Sequence, residues 1–159
     1  MKNILLVFSL FITQSYIAQS HPERLVDFEL YELNGETFSK ENIKENSFNY
    51  FIYYNPTCGH CVDTFKVLNL KSDQIKKADV QIYTISANTE QLTQSFFEQH
   101  APKLQNLVNV EILRDEDYKF ADAFNVGPFP TAFLYNKDNK LIKVYEGTSE
   151  VVLFLNEIK

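Results

Sequence analysis

From Phe48 to Tyr54 the chain runs almost unbroken in aromatic and apolar side chains. Such a run predicts a central strand covered on both faces. Pro56 punctuates its end, and a helix is expected to begin near Cys58. Cys61, Phe65, Leu68 and Ile75 follow at helical spacing, so they share one buried face. That periodicity puts Cys61 on the inner side and leaves Cys58, at the helix start, nearer the surface.

The same reading extends along the chain. Phe28 to Leu33, Asn34-Gly35 and Glu36 to Phe38 form a hairpin pattern, and Ser39 to Glu45 a polar turn. Val80 to Ser86 is a second core strand. Asn88 is placed to cap the next helix, with Gln91 in a capping-box position and Leu92 and Phe96 as its buried stripe. Ala101-Pro102 ends that helix. Val108 to Leu113 reads as a strand, and Asp115 to Asp117 precede a short helix carrying Phe120, Ala121 and Phe124. Thr131 to Tyr135 and Leu141 to Tyr145 flank a polar turn and predict an antiparallel hairpin. Thr148 or Ser149 caps a final helix with Val151, Phe154, Leu155 and Ile158 facing inward. Strands alternating with helices, closed by a hairpin, imply an α/β fold: a mixed central sheet flanked by helices, with an N-terminal hairpin and a central β-α insertion.

Composition narrows the class. The 159 residues are 45% hydrophobic and 23% charged, as expected for a globular domain. The net charge is −6, with no basic stripe, which argues against nucleic acid as a partner. Residues 1–20 combine Lys2, an apolar run from Ile4 to Ile12 and small residues at Ala18 and Ser20. This is the layout of a signal peptide, and the run is too short to span a bilayer comfortably. The expected mature domain is 21–159, starting at His21 or, if the cut follows Ala18, two residues earlier. No stable membrane insertion is expected after cleavage, and the location is periplasmic or secreted.

The only two cysteines of the chain are Cys58 and Cys61. Two intervening residues at a helix start bring them within disulfide reach. Helix-terminal N–H groups favour the thiolate at such a position. His60, when protonated, adds positive charge beside Cys58 and favours the reduced form, which makes the disulfide a stronger oxidant. Gly59 would let another backbone approach closely. Three plainer readings stand beside redox chemistry. A structural disulfide is common in exported proteins, but so short a loop restrains the unfolded chain least. Zinc wants four ligands, and only His21 and His100 remain besides Cys58, Cys61 and His60; no metal or other cofactor is expected. Buried inert thiols suit an oxidising compartment poorly.

Cys58-Gly59-His60-Cys61 resembles the active-site motif of the thioredoxin superfamily, with the dipeptide found in protein disulfide isomerases. Independently, Val126-Gly127-Pro128-Phe129-Pro130-Thr131 resembles that family's cis-proline loop. The hairpin and the segment from Val110 to Asn125 resemble its exported TlpA-like branch. The resemblance implies a thioredoxin-like fold and dithiol exchange at Cys58 and Cys61, tuned by Gly59 and His60. It implies that Phe129, Pro130 and Thr131 bind the substrate strand, with Pro130 in the cis form. Its partners would be protein thiols and disulfides and an upstream thiol donor or acceptor of electrons. The branch implies a reductase, whereas His60 points toward an isomerase or oxidase. A non-catalytic binding module with a structural bridge is the reading from another class. Several positions depart from the family. Thr57 replaces the usual Trp, Ile52 the buried acid of thioredoxins and Thr64 the branch's frequent Glu, so no proton acceptor for Cys61 can be named. The peroxiredoxin pattern Pro-x-x-x-Thr-x-x-Cys is not met, because Asn55 stands three before Cys58.

Overall fold

A computed structural model describes residues 21–158. The expected signal peptide lies outside the described residues. Seven strands form one mixed sheet: β1 (Glu29–Glu32), β2 (Thr37–Ser39), β3 (Phe48–Tyr53), β4 (Val80–Ser86), β5 (Val110–Arg114), β6 (Thr131–Tyr135) and β7 (Leu141–Glu146). Their order across the sheet is β2-β1-β5-β4-β3-β6-β7. β3, β4 and β5 run parallel, and β6, β7, β1 and β2 add antiparallel margins on the two sides. This is the expected thioredoxin-like α/β architecture, with the N-terminal hairpin docked on β5 of the insertion.

β3 explains why both faces are covered. Its alternate residues Tyr50 and Ile52, with Tyr54 just beyond, enter one core with Phe65, Leu68, Phe96 and Phe97. Phe51 and Tyr53 enter the other, with Phe28, Tyr83, Phe120, Phe124 and Phe133. All of these are buried, and burying each such side chain stabilises the fold by roughly 1.5–3 kcal/mol.

The helices are α1 (Gly59–Leu70), α2 (Ser72–Lys77), α3 (Glu90–His100), α4 (Lys119–Phe124) and α5 (Thr148–Val151). Four expectations need correction. The stripe from Cys61 to Ile75 is buried as expected, but it spans two helices. The chain breaks at Lys71, where the Ser72 hydroxyl takes the Asn69 carbonyl at 2.7 Å. Thr89, not Asn88, caps α3, accepting from the Leu92 amide at 3.3 Å, because Asn88 is already turned back onto the Ser86 hydroxyl. The face of α3 that packs inward is Thr93, Phe96 and Phe97, which leaves Leu92 exposed. Neither Thr148 nor Ser149 caps α5. Gly147 occupies that place at φ 77°, and α5 is a single turn followed by a 3-10 turn at Phe154–Asn156. The inward stripe of Val151, Phe154, Leu155 and Ile158 is buried as expected.

Candidate active site

The end of β3 becomes the start of α1 through Asn55, Pro56 and Thr57. The Asn55 side-chain oxygen accepts from the Thr57 amide and hydroxyl, both at 2.9 Å, and its carbonyl accepts from the Cys58 amide at 3.0 Å. Asn therefore locks a side-chain-closed turn. Cys58 sits at the N-cap with extended backbone and makes no side-chain cap bond. The sulfur is left free to face outward, at the end of a helix whose first amides lack partners of their own.

Both cysteines are free thiols. Cys58 is half-buried and Cys61 is fully buried, as the helical periodicity required. The Cys61 sulfur accepts from the Asn55 amide at 3.4 Å. Burial is the largest influence on its thiol and pushes it up to about 12; the Asn55 amide pulls the other way, and the hydrogen bond and charge of Cys58 raise it further. Asp63 faces solvent and Thr64 is buried, its hydroxyl donating to the His60 carbonyl at 2.8 Å. Ile52 lies in the core.

Two other elements meet the cysteines. The Phe129–Pro130 bond is cis, and the Phe129 carbonyl lies 4.0 Å from the Cys58 sulfur. Pro130 and Thr131 are buried, and the Thr131 hydroxyl donates to the Pro128 carbonyl at 2.6 Å. The structure thus brings Cys58, Cys61, Phe129, Pro130 and Thr131 together. His60 is exposed on the same helical turn. A side chain at Gly59 would meet nothing within 4 Å, so the space beside it is open in this chain.

Beside Phe129 lies a cleft of about 220 Å³ bordered by Tyr53, Asn55, Asn88, Tyr118 and Gly127. Tyr53 and Phe129, which border it, belong to an aromatic stack that runs on into the core. Phe129 lies on Tyr53 at 5.8 Å, Tyr53 on Phe120 at 6.2 Å, and Phe120 on Phe124 at 3.8 Å, with interplanar angles below 20°. The sequence reading missed Asn55, Tyr53 and Tyr118 as site residues. Asn55-Pro56-Thr57 carried a signal, since Asn before a helix start commonly closes such a turn. Among the described residues no group of three or more His, Cys, Asp or Glu is arranged to hold a metal ion, and no helix is long and apolar enough to cross a membrane.

Comparison with known proteins agrees with this architecture. The family model described as the AhpC/TSA family matches residues 22–144. Over 137 residues the chain is 25% identical to the thiol-disulfide oxidoreductase ResA of Bacillus subtilis, covering 84% of this chain and 73% of that protein. The crystal structure of StoA from Bacillus subtilis superposes with a TM-score of 0.66 at 15% identity, covering 87% of this chain and all of that one (100%). The exposed lipoprotein thioredoxin Etrx1 from Streptococcus pneumoniae gives 0.62 at 18% identity, covering 83% and 99%. The matched span includes the cysteine pair, the cis-proline loop and the whole parallel core, and so the chain belongs to the AhpC/TSA family, in its thioredoxin-like, TlpA-type branch of thiol-disulfide oxidoreductases.

Proposed function

We propose that the protein is an exported thiol-disulfide reductase acting on protein disulfides, with Cys58 as the attacking thiol and Cys61 as the resolving one. The observation that carries this reading is the pairing of a half-exposed Cys58 with a carbonyl of the cis-proline loop, while Cys61 is buried behind it. The Cys58 thiolate attacks one sulfur of the substrate disulfide, and the other sulfur leaves as a thiolate. Cys61 then attacks the Cys58 sulfur and expels the second substrate thiolate. The substrate gains two electrons and the protein ends as the Cys58–Cys61 disulfide, which an upstream thiol donor returns to the dithiol.

The Cys61 environment sets the order of these steps. Its thiol is held protonated by burial and by Cys58. Capture of Cys58 in a mixed disulfide removes the Cys58 part of that influence just when Cys61 must react. Phe129, Pro130 and Thr131 present the edge on which the substrate backbone rests, and the cleft beside Phe129 receives a neighbouring substrate side chain. Residues 1–20 support export, as does the likeness to an exposed lipoprotein. Asn55, standing where a peroxide-reducing motif has Thr, disfavours a peroxidase.

The test is a pair of variants. Cys58→Ser is expected to abolish turnover of a protein disulfide, and Cys61→Ser to accumulate mixed disulfides visible on non-reducing gels. Full activity in Cys58→Ser overturns the reading.

A further inference from the structure

We propose that Thr148 is a positioning residue that holds the cysteine pair at a set distance from the cis-proline strand, so that a polypeptide disulfide can engage both together. This rests on the reading of Cys58 as the attacking thiol.

The turn between β7 and α5 bonds to both halves of the site. The Gly147 amide donates to the Pro130 carbonyl at 2.9 Å. One residue on, the Thr148 hydroxyl donates to the His60 carbonyl at 3.0 Å. Pro130 follows Phe129, whose carbonyl faces the Cys58 sulfur, and His60 lies between the two cysteines. Two consecutive residues therefore join the substrate-binding strand to the cysteine motif. A direct contact between those two parts, the 4.0 Å approach of sulfur to carbonyl, is longer than either bond of the turn.

The local chemistry agrees with a bridging role. A threonine at a helix start ordinarily turns its hydroxyl onto its own helix. Here the cap position belongs to Gly147, no side-chain cap bond is made, and the hydroxyl reaches a carbonyl 88 residues away. Gly147 at φ 77° lets the backbone aim its amide one way and the next side chain the other. The His60 carbonyl also accepts from Thr64, so two hydroxyls converge on the peptide that separates the cysteines.

Catalysis on a polypeptide needs the sulfur and the strand edge at their proper spacing, and small misplacements are costly. A small alkylating reagent needs the sulfur alone. The two should therefore respond differently to loss of the Thr148 hydroxyl. The experiment measures kcat/KM for reduction of insulin disulfides, with dithiothreitol as donor, beside the rate of Cys58 alkylation by iodoacetamide in the reduced protein. Thr148→Val, which keeps the branched shape, is expected to lower kcat/KM about tenfold. Its alkylation rate should stay within about twofold of wild type, and Thr148→Ser should restore turnover. Thr148→Ala provides the same comparison should the valine variant fold poorly. Wild-type insulin reduction in Thr148→Val or Thr148→Ala overturns the proposal. So does an equal loss in both assays, which would mean general damage. Failure of the underlying reading is separate, since it appears as Cys58→Ser retaining activity.

Discussion

The phenol of Tyr53 donates to Oδ2 of Asp115 across 3.0 Å, tying the last residue of β3 to a carboxyl group buried in the insertion. The same carboxyl accepts from the Phe120 and Ala121 amides at 3.1 and 3.0 Å, closing the first turn of α4. The ring of Tyr53 supports Phe129 from below. One residue thus connects the inserted segment to the loop that faces Cys58. Tyr53→Phe keeps the stack and removes the bond, and is expected to cost about 1–2 kcal/mol. Asp115→Ala leaves three donors without their acceptor and is expected to cost about 3 kcal/mol or more. Urea midpoints at unchanged m-value measure both, and a Tyr53→Phe midpoint equal to wild type would count against the bond's contribution.

Stability of the reduced protein should depend on pH through Cys61. Burial raises its thiol from 9.0 to about 12, so the fold favours the protonated form. That contribution is fully present below about 9 and is lost as pH rises toward about 12, because the unfolded thiol ionises in that window and the folded one does not. The slope from this one proton is up to about 1.4 kcal/mol per pH unit. Urea unfolding at pH 8 and pH 10 should show a steeper loss for reduced wild type than for Cys61→Ala. Parallel losses would mean that Cys61 is not the group responsible.

The reduction potential decides the direction of exchange. A reductase requires a Cys58–Cys61 couple near about −270 mV, whereas about −180 to −120 mV suits an isomerase or oxidase. Equilibration with glutathione buffers, read by alkylation, measures it directly. Because His60 is exposed on the turn between the cysteines, His60→Pro is expected to make the couple more reducing by removing the one side chain between them that can carry positive charge and favour the reduced form. An unchanged potential would show that His60 exerts no such pull.

Neighbouring cap candidates before α3 can be told apart. Thr89 accepts from the Leu92 amide, so Thr89→Ala is expected to cost about 1 kcal/mol. Asn88 closes the turn after β4 through Ser86 and lines the cleft. Asn88→Ala should therefore alter turnover of a protein disulfide more than it shifts the α3 cap. Thermal midpoints and insulin reduction, measured on both variants, separate these roles.

Much of the fold was legible along the chain because burial writes a local pattern. The nearly unbroken run of β3 and the helical spacing of Cys61, Phe65 and Leu68 follow from which side of an element meets the core. The same periodicity told the half-buried Cys58 from the buried Cys61, and the Phe129-Pro130 loop, singled out in the sequence beside the cysteine pair, lies against Cys58. Local pattern fails where neighbours are chemically alike, as with Asn88 and Thr89, since both can cap and only the direction of the Ser86 hydroxyl chose between them. It also fails for the break at Lys71, which left the stripe intact. Only the tertiary structure decided that the hairpin pairs with β5, that Asp115 gathers Tyr53 and α4, and that Thr148 reaches His60. Those contacts join residues far apart through single hydrogen bonds, which need one polar group at one point in space and leave no periodicity in the sequence.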